Sequence, residues 1–151
     1  METRKEIIEK LNRLLTRNYD AEYGYREAVE DVDDPKLKKF FKTYVEQRYR
    51  FGHDLKGEIK NLGGDPEKGK GTSVGSDLHR KWMDLKKAIS SNSEEAILEE
   101  CRKGEITTWG DYNEVLAMQD LPPTTSSLLK NHKTKIDEAI FQLMELKMQY
   151  A

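Results

Sequence analysis

The stretch GGDPEKGKGTS, Gly63 to Ser73, admits two readings that lead to different folds. From Gly64 it nearly spells a phosphate-binding loop: Gly64, four residues, Gly69, Lys70. Such a loop needs a strand before it and a helix directly after it, so that loop amides and the helix N-terminus hold the phosphates. Here a helical pattern precedes it, and Gly71 stands where a Ser or Thr would ligate magnesium. Pro66 also removes one amide donor from inside the loop. The competing reading is a polar crossover whose glycines permit turns. We adopt the crossover and expect no nucleotide.

On its N-terminal side two helices are predicted. Residues 3–32 place Ile8, Leu11, Leu15, Tyr25, Val29 and Val32 at helical spacing. DVDDP breaks that helix, and Pro35 suits the first turn of the next. The second helix runs to about Leu62 through Leu37, Phe41, Tyr44, Phe51, Leu55 and Ile59, and GG stops it. Beyond the polar stretch 63–75, Ser76 or Asp77 caps a short helix through Leu78, Trp82, Leu85 and Ile89. Ser93 caps a long one through Leu98, Cys101, Thr108, Tyr112 and Val115, which DLPP ends. The last runs from about Thr124 to Gln149. No useful segment alternates with period two, so no sheet is expected.

Four helices of this length, about 40 Å each at 1.5 Å per residue, make an all-α bundle. Two short connections join antiparallel neighbours. The crossover with its short helix, about 63–91, carries the chain back along the bundle, so the second and fourth predicted helices can run parallel. The expected fold is a ferritin-like four-helix bundle in one domain, 1–151.

The 28 acidic and 26 basic residues leave a net charge of -2, which favours neither nucleic acid nor an anionic membrane. No apolar run reaches the roughly 20 residues of a membrane span. METRKEIIEK carries no apolar signal core, so a cytoplasmic location is expected. Cys101, the only cysteine, lies on an apolar stripe and reads as a packed, inert thiol.

Several pieces resemble a bacterial family: DAEYGYREAVEDVDDPKLKKFF, EQRYRFGHDLKGEIKNLGGDP, GSDLHRKWMDLKKAI and ILEECRKGE, then DLPP. They span roughly residues 20–123 in order. The family consists of four-helix-bundle proteins of unknown function related to the ferritin-like superfamily. The resemblance implies a ferritin-like bundle and self-association, and supplies no catalytic residues. It also implies a His–Asp pair near EAIF in the last helix, where Ile140 and Phe141 stand instead.

Ferritin-like di-iron sites take one Glu from each of two helices and a Glu-x-x-His pair from each of the other two. Three residues before His53, His79 and His132 stand Arg50, Ser76 and Leu129, so no such pair exists. The helical stripes instead carry other polar groups inward: Asn18 and Glu22, Arg48, Glu105 and His132. At 1.5 Å per residue, Asn18, Arg48 and Glu105 fall at about 20 Å along the bundle, Glu22 at about 26 Å and His132 at about 14 Å. Arg48 is therefore expected to occupy the place of a metal, bridging Glu22 and Glu105 in a buried network with Asn18. The competing readings send Arg48 out past the helix edge, or pair Glu105 at the surface. A third uses Glu22, Glu105 and His132 as ligands for one divalent ion. His132 reads foremost as a hydrogen-bonded interior or edge histidine.

The sequence thus predicts a protein with no catalytic residues, metal or cofactor, acting as a dimer or through a protein partner in a stress-associated or scaffolding role. The alternative is a divergent metal-binding or oxidoreductase bundle using Glu22, Glu105 and His132. An apolar-ligand carrier is a third possibility.

Overall fold

A computed structural model describes residues 3–66 and 93–151. The short helix expected at 76–91, and most of the glycine-rich crossover, lie outside the described residues. Those described form four α-helices and no strand: α1 Arg4–Asp31, α2 Pro35–Asn61, α3 Glu94–Leu116 and α4 Pro123–Tyr150.

Local chemistry sets most of the boundaries. Thr3 Oγ1 accepts the Glu6 amide at the start of α1, and Ser93 Oγ accepts the Ala96 amide at the start of α3. Asp34 caps α2 by accepting the Lys36 amide at 2.8 Å, with Pro35 as the first helical residue. The α4 N-terminus has no cap from its own chain neighbourhood. Glu58 on α2 anchors that end through its side chains instead, accepting the Thr124 hydroxyl at 3.0 Å and the Thr125 hydroxyl as well. An acidic group at a helix N-terminus also meets the favourable end of its dipole. Asp120, at φ 61°, makes the left-handed turn between α3 and α4.

The end of α2 is a Schellman turn. Gly63 N–H donates to Lys60 O, Gly64 N–H donates to Ile59 O, and Gly63 sits at φ 86°. Gly64 then lies against α1. A Cβ there would come within 2.6 Å of Ile8 Cγ2 and 3.0 Å of Ile59 Cγ2. Replacing Gly64 with Ala is expected to cost about 1–3 kcal/mol through this overpacking. The urea midpoint should fall with no change in slope; an unmoved midpoint would show that Ile8 yields freely.

Side-chain pairings give the helix directions. Lys10 of α1 pairs with Glu114 of α3 at 3.2 Å, so the start of α1 meets the end of α3. The Tyr150 hydroxyl donates to Asp34 at 2.5 Å, so the end of α4 meets the start of α2. All touching neighbours are antiparallel, and α2 and α3 run parallel across the diagonal. Helices approach closely within the α1–α2 and α3–α4 hairpins, less between α1 and α3, and least between α2 and α4.

The core is split lengthwise. One apolar cluster, around Leu11, Leu15, Phe51, Leu55 and Leu129, fills the end where α1 begins. Another, around Tyr25, Phe41, Leu98, Cys101 and Leu143, fills the opposite end. Asn18, Arg48, Glu105 and Thr108 are buried as well, between the two clusters along their helices, and His132 is buried between Leu129 and Ile136 of the first cluster.

A buried ion pair and a four-helix hydrogen-bond chain as the candidate functional site

Arg48 on α2 and Glu105 on α3 meet across the bundle diagonal, both fully buried. The contact is bidentate: Nη1 donates to Oε1 at 2.6 Å and Nη2 to Oε2 at 2.5 Å. The guanidinium fork matches a carboxylate in this geometry, which a lysine cannot do. Arg48 Nε donates outward to Gln47 Oε1 at 3.2 Å. Burial pushes the Glu105 carboxyl above its ordinary range, while Arg48 and the neighbouring Tyr25 hydroxyl pull it back. The same burial drives the Tyr25 hydroxyl and the Cys101 thiol well up, so Cys101 stays a protonated, packed thiol.

A second buried system joins all four helices. Asn18 Nδ2 on α1 donates to Leu14 O at 2.8 Å and to the Tyr112 hydroxyl of α3 at 3.0 Å. Tyr112 lies 2.9 Å from His132 Nδ1 on α4, and His132 Nε2 lies 3.0 Å from Asp54 Oδ2 on α2. A carboxylate only accepts, so Nε2 carries the imidazole hydrogen and Nδ1 accepts the Tyr112 hydroxyl. Burial pushes His132 down to about 4, against the opposing pull of Asp54, so the ring is neutral at neutral pH. Phe51 connects the two systems. Its ring stacks on His132 at 3.9 Å between centroids, and the Arg48 guanidinium carbon lies 5.1 Å from its centroid.

The expected bridge from Arg48 to two carboxylates is not what the structure shows. Glu22 lies partly exposed and pairs with Arg26 one turn along α1, at 2.7 Å. Ala21 takes the inward position instead. The inward stripe runs 11, 14 and 15, 18, 21, 25, 28; beyond Asn18 it keeps the expected 25 but takes 21 and 28 in place of the expected 22 and 29. Ile8 and Val29 accordingly sit at the core's edge, while Ile7 and Ala28 are buried.

The alternative metal set is also dispersed: Glu22 is held by Arg26, Glu105 by Arg48, and His132 by Tyr112 and Asp54. Among the described residues no three His, Cys, Asp or Glu side chains gather closely enough to hold a metal ion. The di-iron centre of ferritin-like bundles does not fit this set, because both oxygens of the central carboxylate are already committed to a guanidinium.

Three members of these networks carried weak sequence signals. Tyr112 and Tyr25 counted as apolar stripe residues, although each hydroxyl needs a partner when buried. Asp54 lies off the α2 stripe, and only the demand of a buried His132 for an acceptor points to it. His53 is exposed beside an open groove, and Trp109 packs partly buried with Lys133 over its ring at 4.9 Å. His79 and Trp82 lie outside the described residues.

The fold and its centre define an all-α four-helix bundle whose middle is held by a buried ion pair. The chain belongs to the family described as "Domain of unknown function (DUF2383)", whose profile matches residues 6–118. No curated protein matches it. No helix among the described residues is long and apolar enough to cross a membrane.

Proposed function

We propose that this is a ferritin-like, non-catalytic bundle of the bacterial cytoplasm that works through its surface, by dimerising or by binding a protein partner. The supporting observation is the bidentate Arg48–Glu105 pair at mid-height, which consumes the one carboxylate fully buried among the described residues. Buried groups that are mutually satisfied hold helix register and leave little chemistry free at the centre. The outer face of α4 supports the surface role, exposing Phe141, Met144 and Met148 in one stripe. Adaptable methionines are common on binding surfaces.

Elemental analysis of untagged protein, purified without chelators, tests the first half of this reading. No stoichiometric iron, manganese or zinc is expected. A near-equivalent metal lost on Glu105→Gln would replace it with a metal-binding function. Light scattering tests dimerisation: twice the 17.6 kDa chain mass is expected, falling to the single mass in Phe141→Glu/Met148→Glu. A monomer at all concentrations would leave only a heterologous partner.

A further inference from the structure

Helices α2 and α4 are the least closely packed neighbours, and polar side chains lace the seam between them. Three carboxylates on α2 or its cap each accept from α4: Glu58 from Thr124 and Thr125, Asp54 from His132, and Asp34 from Tyr150. Just outside the seam runs an open groove of about 600 Å³ whose walls include Gln47, Phe51, Asp54 and Lys135. Gln47 and Asp54 are the outward ends of the two buried systems. We propose that the α2–α4 seam is an acid-released gate over the buried centre, with His132 as its trigger.

The hydrogen-bond chain tolerates only one protonation state. Neutral His132 accepts the Tyr112 hydroxyl at Nδ1 and donates to Asp54 from Nε2. A proton added at Nδ1 turns that nitrogen into a donor aimed at the Tyr112 oxygen, which already accepts from Asn18. The Tyr112 hydrogen then needs a new acceptor. Asn18 Oδ1 is buried with no partner among the described residues. It can accept only if the amide turns over, which gives up the bond to Leu14 O.

The charges around the ring push the same way. The Phe51 ring lies against both the new imidazolium and the Arg48 guanidinium on α2, and Lys135 on α4 adds a second positive charge. Asp54 on α2 is the one opposing charge at hydrogen-bond distance; α3 contributes Tyr112, and α1 the uncharged Asn18. Asp54 is itself 44% exposed in its side chain, so water screens its attraction. Movement of α4 away from α2 hydrates the imidazolium and relieves the conflict.

The test places spin labels on cysteines at the exposed positions His53 and Thr134, in a Cys101→Ser background. Inter-label distances are read at pH 7 and pH 4 alongside far-ultraviolet circular dichroism. The expected result is a longer, broader distance distribution at pH 4 with helix content retained. Adding His132→Gln should hold the neutral-pH distribution at both pH values. Unchanged distances at pH 4, or equal opening in the His132→Gln protein, would overturn the proposal. Loss of all helix at the same pH would also do so, since it would mean plain acid unfolding. If His132→Gln fails to fold, the His132 ring is followed by NMR in the parent protein. Its proton uptake must then coincide with the distance change, and a separation between the two overturns the trigger.

Discussion

Arg48→Met lowers stability by roughly 3–5 kcal/mol at neutral pH, because it leaves a carboxylate buried without its counter-charge. Methionine fills much of the volume but offers no donor. Glu105 then keeps the burial that already raises its pKa and loses the guanidinium that opposes it. Its response is to take up a proton. A raised carboxyl pKa penalises the folded state above the unfolded value, and the penalty shrinks as pH falls. The gap between Arg48→Met and the parent should therefore be widest at pH 7 and narrow towards pH 5. Paired urea titrations at each pH check both statements. Arg48→Met/Glu105→Leu should recover most of the loss, since replacing both partners of a buried ion pair with apolar groups is often neutral. An unchanged midpoint in Arg48→Met would remove the ion pair from the account of this fold.

The second large effect is in the pH dependence itself. His132 is held near 4 in the folded protein, against an ordinary value of 6.5 in the unfolded chain. Between those values the unfolded state binds more protons, so stability rises with pH across that window. The contribution is complete above about 6.5, drains away as pH falls and is gone below about 4. At 1.36 kcal/mol per unit, it amounts to about 3 kcal/mol. His132→Gln abolishes this portion of the acid slope, because glutamine carries no titrating proton. Urea midpoints at pH 7.5, 5.5 and 4.5 measure it. Parallel slopes for parent and variant would mean that His132 titrates normally and water reaches it.

Arg48 and Glu105 stand out in the amino-acid pattern because each interrupts a three-four stripe of apolar residues with a charge. Helix ends are equally readable: Asp34–Pro35 and Gly63–Gly64 leave few alternatives for how α2 starts and stops. Glu22 shows where such reading fails. Both position 21 and position 22 continue a stripe in steps of three or four, and alanine is a weak apolar marker beside a conspicuous acid. The alanine faces inward, and the glutamate finds Arg26 on its own helix. Asp54 fails for another reason. It is reached through His132, seventy-eight positions away in the chain, and helical periodicity reports only on neighbours along one helix. The ring of Phe51 between guanidinium and imidazole belongs to the same class of fact, a tertiary contact with no local trace.

The division of the core into two apolar ends has a consequence for how this sequence can vary. Sliding α1, α2 or α3 by a turn would carry Asn18, Arg48 or Glu105 into an apolar end, so the middle level acts as a shared zero for these three helices. With that zero held, the two ends have no need to negotiate with each other. Leu11 and Leu143, in opposite clusters, become separate problems, each solvable by any set of side chains that fills its own space. Substitutions taken one from each end should combine additively, as distant and unconnected sites do. Lineages of this chain are then free to repack one end at a time, so long as the layer between them is left alone.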